Sequence, residues 1–168
     1  LIEAEAAHLA RLEAVAYSRH VAQAVTGDVL VTAEQIRFFA EFADKEGGEL
    51  VPTSDAQLGF ISAHPYGVIG AITPWNFPLS MAAWKLGPAL AAGNAVVLKP
   101  SEMTPYSTLR LAELSVQAGI PAGLINIVLG DGPTTGSAIT GHPGIDKVSF
   151  TGSTRAGAQI MENIARTG

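Results

Sequence analysis

Residues 67–78 read GVIGAITPWNFP, and the fold class turns on how that stretch divides. GVIGAIT, Gly67 to Thr73, is a short apolar, β-branched run, the composition of a strand buried on both faces. Pro74 and Pro78 cannot continue it. Each lacks an N–H and fixes φ, which bars a central strand and a regular helix interior. The stretch therefore predicts a buried strand running straight into a stiff turn that holds Trp75 and Asn76.

The same pattern recurs downstream. NAVVLKP (94–100), LINIVLG (124–130) and KVSFTG (147–152) read as further buried strands. Residues 79–92, 106–118, 133–140 and 153 onward read as the helices between and after them. Strand and helix alternate with Gly or Pro at most junctions, which predicts parallel βαβ units and a doubly wound α/β sheet. Upstream, Leu9, Leu12, Val15 and Ala16 give helical spacing from Leu1 to about Val25. A second helix is expected from Thr32 to Asp44, with Thr32 and Gln35 in a capping-box pattern ahead of Ile36, Phe39 and Ala40. Gly47 and Gly48 end it, and residues 49–67 read as extended with a turn at Thr53 to Asp55. The expected boundary falls near Pro65, dividing residues 1–65 from a sheet domain at 66–168.

Composition narrows the function classes. Hydrophobic residues make up 48% and charged residues 15% of the 168, which favours a well-buried globular fold over disorder. A formal charge of −5 argues against nucleic acid or an anionic membrane as partner. No apolar run reaches membrane-spanning length and no basic-then-apolar leader is visible, so the cytosol is the expected compartment. Cysteine is absent, which excludes disulfides, thiolate metal sites and a thiol nucleophile within these residues. His8, His20, His64 and His142 are scattered without ligand spacing, and no metal is assigned. The sequence opens at Leu1 inside a helical pattern and stops soon after a helix begins. Both ends are read as cuts in a longer polypeptide.

In open α/β sheets, ligands sit outside the carboxyl ends of the strands. The four strand ends are rich in Gly, Pro and polar groups, and each admits two readings. In FTGST (150–154), Gly152 allows close backbone approach, and Ser153 opens a helix whose N-terminus suits a pyrophosphate. It equally suits an ordinary Ser/Thr cap. In LKPSE (98–102), Lys99 can donate to ribose hydroxyls and Glu102 can accept from them, or Ser101 and Thr104 can simply cap a helix. GDGPTTG (130–136) can receive a flat ring against Pro133, or can be only a turn. Asn76 can donate its amide N–H to a developing oxyanion or cap the helix that follows it; the two roles are compatible. The common G-x-G-x-x-G fingerprint after the first strand is missing.

Taken together and in this order, PWNFP, LKPSEMTP, GDGPTTG and FTGST resemble the NAD(P)-dependent aldehyde dehydrogenase superfamily. The resemblance covers essentially the whole chain and is most specific from Gly67 to Gly157. It implies an atypical Rossmann-like domain, preceded by helices and the start of an oligomerisation hairpin at residues 48–67. By similarity, Asn76 helps form the oxyanion hole, and Ile72, Thr73, Pro74 and Trp75 touch the cofactor. Lys99 and Glu102, with Ser101 between them, face the adenosine ribose. Gly132, Pro133 and Gly136 form the adenine-side loop, and Phe150, Gly152 and Ser153 form the pyrophosphate turn. NAD is the implied cofactor, because Glu102 repels a 2′-phosphate, although a rotated glutamate leaves room for NADP. In the family a cysteine attacks the aldehyde and a downstream glutamate activates water; neither falls within these residues. The implied whole enzyme is a homodimer or homotetramer acting on a small-molecule aldehyde, of which this chain is an inactive cofactor-binding portion. A stand-alone nucleotide-binding or assembly module is the alternative.

Overall fold

The computed structural model describes residues 1–167. A four-stranded parallel sheet contains β3 (Val68–Ile72), β4 (Ala95–Lys99), β5 (Ile125–Ile127) and β6 (Lys147–Phe150), in the spatial order β5-β4-β3-β6. β1 (Glu49–Val51) and β2 (Gly59–Ile61) form a separate antiparallel hairpin. The sheet starts at β3, steps outward through β4 to β5, then crosses back to place β6 on the other side of β3. This is the doubly wound arrangement. Its reversal of direction lies between β3 and β6, where such sheets open a ligand crevice.

Three longer helices connect or follow the strands: α4 (Pro78–Ala91), α5 (Tyr106–Gln117) and α7 (Thr154–Thr167). Between β5 and β6 a single π-helical turn, Gly132–Gly136, leads into the short α6 (Ser137–Thr140). Leu79, Ala82 and Leu86 of α4 pack with Ile69, Val96 and Leu98 of the sheet and with Leu111 and Leu114 of α5. Leu9, Ala10, Ala24 and Val29 from the N-terminal helices join the same core. Gly87 lets α3 (Leu30–Ala40) come close to α4, since a Cβ there would lie 2.7 Å from Phe39 Cδ2.

The N-terminal helices differ from the sequence expectation. α1 (Ala6–Tyr17) stops at Ser18, which is left-handed at φ 62°. The chain restarts at α2 (Val21–Ala24), widens into a π-helical turn at Val25–Val29 and continues as α3 (Leu30–Ala40). Thr32 is therefore inside a continuous helical run rather than at its start. Its hydroxyl is buried without a hydrogen-bond partner among the described residues, because the N–H groups a cap would serve are already bonded to the preceding turn. The expected capping box does not form. Past Ala40 the helix loosens into three-residue turns, as in the Phe42 N–H to Phe39 carbonyl bond.

The π turn brings the Asp28 carboxyl inward, fully buried, near the fully buried Glu13 of α1. Burial pushes the Glu13 carboxyl up to about 7, against the pull of the Ser107 hydroxyl, and the Asp28 carboxylate adds to the rise. Unfolded, the same group titrates near its ordinary 4.5. The folded state then binds more protons between those two values, so stability falls as pH rises through that window and levels off above it. At ~1.4 kcal/mol per pH unit, Glu13 contributes roughly 3 kcal/mol to that fall. Glu13→Gln should flatten the stability profile between pH 5 and pH 7.5 in urea unfolding. An unchanged slope would contradict a buried, protonated Glu13.

Candidate functional site

The carboxyl ends of β3, β4 and β6 are knitted together one residue past their ladders. Thr73 N–H donates to the Lys99 carbonyl (3.1 Å), and Thr151 N–H donates to the Ile72 carbonyl (3.1 Å). Ile72 and Thr73 are buried at this seam. Beyond it Pro74 is half-buried, and Trp75 and Asn76 are exposed. The Trp75 carbonyl accepts a hydrogen bond from Thr104 Oγ1 at 3.0 Å, which ties the turn to the loop after β4. The Asn76 side chain makes no hydrogen bond among the described residues, so its amide is free to meet a ligand.

Asn76 does not cap α4. The N-cap position is Phe77, left-handed at φ 53° and ψ 50°, with Pro78 as the first helical residue. The proline disfavours right-handed α at the residue before it and carries no N–H to be capped. A left-handed conformation at a bulky aromatic residue costs roughly 1–3 kcal/mol and persists only where the surroundings hold it.

At the end of β4, Lys99 is 2% exposed. Its ammonium donates to the Pro100 carbonyl at 2.9 Å and lies 3.4 Å from the exposed Glu102 carboxylate. Glu102 is thus free to face a ligand while Lys99 is held from behind. Ser101 Oγ accepts from the Met103 N–H at 3.3 Å, capping only the local turn. The helix-capping reading of Ser101 and Thr104 fails at α5, whose N-cap position is Pro105, with no side-chain acceptor. Thr104 is spent on Trp75 instead.

A cavity of about 300 Å³ opens between the π turn at Gly132–Gly136 and the start of α7. It brings together five of the residues singled out in the sequence: Ile72, Gly132, Pro133, Gly136 and Ser153. Asp131 caps the π turn by accepting from the Thr134 N–H at 2.6 Å, and that amide holds its carboxyl below the usual range. Ser153 Oγ accepts from the Ala156 N–H at 3.2 Å, capping the long helix α7. Gly152 is needed here because a Cβ would collide with the Phe150 ring, with Cε2 at 2.8 Å. Trp75, Asn76, Lys99, Glu102, Phe150 and Gly152 lie along the same sheet edge but outside this cavity's walls.

Sequence reading missed several polar residues of the cavity. Ser137, Thr140, Arg155 and Asn163 line it, and Thr140 Oγ1 accepts from Asn163 Nδ2 at 3.3 Å. They come from α6 and α7, and no single spacing links them. Lys85 is a further polar residue of this region. Its ammonium is buried in α4 and donates to Ser149 Oγ (3.1 Å) and Thr151 Oγ1 (3.0 Å), tying α4 to the end of β6. Burial draws it below the ordinary lysine range. No cluster of His, Cys, Asp or Glu among the described residues could hold a metal ion.

Comparison with known proteins agrees with this architecture. The sequence model of the aldehyde dehydrogenase family matches residues 1–168. NADP/NAD-dependent aldehyde dehydrogenase PuuC of Escherichia coli is 48% identical over 97% of this chain and 33% of its own length. Retinaldehyde dehydrogenase 3 of Rattus norvegicus is 48% identical over 99% of this chain and 33% of its own. The aldehyde dehydrogenase of Bacillus cereus in its NAD+ complex superposes with a TM-score of 0.97 at 44% identity, covering 99% of this chain and 34% of that one. PnpE of Pseudomonas sp. WBC-3 in complex with nicotinamide adenine dinucleotide gives 0.97 at 43% identity, with coverage of 99% and 34%. The chain thus spans about a third of the length of these relatives. On the match to its full length and on this structural likeness, the chain belongs to the aldehyde dehydrogenase family.

Proposed function

We propose that this chain is the cofactor-binding portion of an NAD-dependent aldehyde dehydrogenase that oxidises an aldehyde to a carboxylic acid. The observation that carries the reading is that the carboxyl ends of β3, β5 and β6 contribute to one cavity, while the loop after β4 is tied to the turn after β3. The residues fit a dinucleotide. A long helix, α7, presents its capped N-terminus beside Gly152, which suits a pyrophosphate. A buried lysine beside an exposed carboxylate offers a donor and an acceptor for ribose hydroxyls, and the cavity at Gly132–Gly136 offers apolar and glycine surface for a flat ring. Bound NAD supplies the hydride acceptor for the oxidation.

Residues 66–168 carry the cofactor site in this reading, and residues 1–65 support it. Asn76 donates its side-chain N–H to the aldehyde oxygen as negative charge gathers there. The sequence has no cysteine, so the nucleophile and the water-activating base are supplied by polypeptide outside these residues, and the chain alone binds cofactor without turnover. The hairpin β1–β2 exposes Leu50 and Phe60, at 75% and 69%, an apolar surface suited to assembly into a homodimer or homotetramer. No helix among the described residues is long and apolar enough to cross a membrane, in keeping with a cytosolic enzyme acting on a small molecule. The absence of a nucleophile also favours a second reading, a non-catalytic nucleotide-binding module. Finding no cysteine-bearing catalytic segment joined to this chain in its gene would select it.

In the full-length enzyme, Asn76→Ala should lower kcat/KM for the aldehyde about 10²–10³-fold while the Kd for NAD changes little. Parallel losses in both would contradict the oxyanion role. Glu102→Gln should raise NADP affinity relative to NAD about tenfold, by removing the charge that opposes a 2′-phosphate. Equilibrium titration with both cofactors measures the ratio, and an unchanged ratio would place Glu102 away from the ribose.

A further inference from the structure

Asn76 makes no side-chain hydrogen bond among the described residues that could aim it, so its direction depends on its neighbours in the chain. On one side the Trp75 carbonyl is tied to Thr104. On the other, Phe77 is held by residues more than fifty positions away, at the break between α1 and α2. The Arg19 guanidinium lies over the Phe77 ring, 5.0 Å from its centroid. The Tyr17 ring meets it at 6.1 Å and 55°. Both are fixed from behind by Asp28, whose side chain is fully buried. Its Oδ2 lies 3.0 Å from Arg19 Nε as an ion pair and accepts the Tyr17 hydroxyl at 3.1 Å. Asp28 reaches that position because it stands in the π-helical turn at Val25–Val29. The same turn offers Gly27 to the Arg19 guanidinium, where a Cβ would lie 3.1 Å from Nη2. The left-handed Ser18 turns the chain between Tyr17 and Arg19.

We propose that Tyr17, Arg19 and Asp28 are positioning residues for the oxyanion donor. They grip the Phe77 ring and so hold the left-handed backbone that points Asn76 into the site. Two local departures from regular helix, at Ser18 and at Val25–Val29, together place one cation and one phenol ring against Phe77. A cation over an aromatic face and an aromatic pair are both directional, so the grip fixes the ring's orientation as well as its burial. The inference rests on the oxyanion role proposed for Asn76.

The test uses the full-length enzyme, with thermal unfolding run on every variant. Arg19→Gln and Phe77→Leu should each lower kcat/KM for the aldehyde about tenfold, as expected for a modest misplacement of a catalytic group, with the Kd for NAD unchanged. Arg19→Lys, which keeps a cation over the ring, should recover most of the loss. On an Asn76→Ala background, Arg19→Gln and Phe77→Leu should cost nothing further, since the group they aim is gone. A multiplicative loss on that background, or a change in unfolding temperature with kinetics intact, overturns the positioning role. Should Arg19→Gln destabilise the fold, the milder Phe77→Leu carries the same comparison. If Asn76→Ala by itself leaves kcat/KM unchanged, the oxyanion reading fails first and the positioning role fails with it.

Discussion

Everything at the ligand-facing edge depends on how completely β3 is enclosed. It is hydrogen-bonded to β4 on one side and β6 on the other, and Ile69, Ala71 and Ile72 are buried. Gly70 has no room for a side chain, since a Cβ would sit 2.6 Å from Ile139 Cγ2 and 2.9 Å from Ile145 Cγ2. A strand held on both edges and both faces has one way out. Its carboxyl end must deliver Pro74, Trp75 and Asn76 to the same place each time the chain folds. The parallel register then sets the loops after β4 and β6 beside it.

Behind that edge the molecule is unusually polar for a core. Glu13, Asp28, Thr32, Ser107 and Thr108 are all fully buried where the N-terminal helices meet α4 and α5. An apolar core would pack there at lower electrostatic cost, because buried ion pairs rarely repay their desolvation. What they supply instead is direction. Asp28 orients Arg19 and Tyr17, and Lys85 is oriented by two hydroxyls from β6 and the residue after it. The contrast with the exposed Asn76 and Glu102 separates a fixed rear from a front free to meet ligand.

The sheet was legible in the sequence because most of its strands are short apolar runs rich in β-branched residues with Gly or Pro close by, and those residues report hard backbone limits. The loops were legible for a related reason: Pro74 and Pro78 remove conformations whatever the context, and Gly152 permits a close approach to Phe150 that a side chain would block. The helix ends were not. Thr32 and Gln35 match a cap pattern, but the pattern does not register that the chain is already helical four residues earlier. Nothing in residues 25–29 marks a π turn, since Gly27 is the sole irregularity and its close neighbour is Arg19. A left-handed Phe77 runs against propensity; Pro78 is its local cue, and its contacts with Tyr17 and Arg19 leave no mark in the local sequence. Thr140 and Asn163 meet across two helices, so no spacing could have paired them.

Whether the carboxyl edge of this sheet is a dinucleotide site can be read from amide chemical-shift mapping of the chain titrated with NAD. A site there gives shifts concentrated at Lys99 to Glu102, Gly132 to Gly136 and Gly152 to Ala156, with saturation at a single affinity. Shifts concentrated instead around the apolar cavity formed by Ala33, Ile36, Leu86 and Leu114, or no saturable shifts at all, would contradict it.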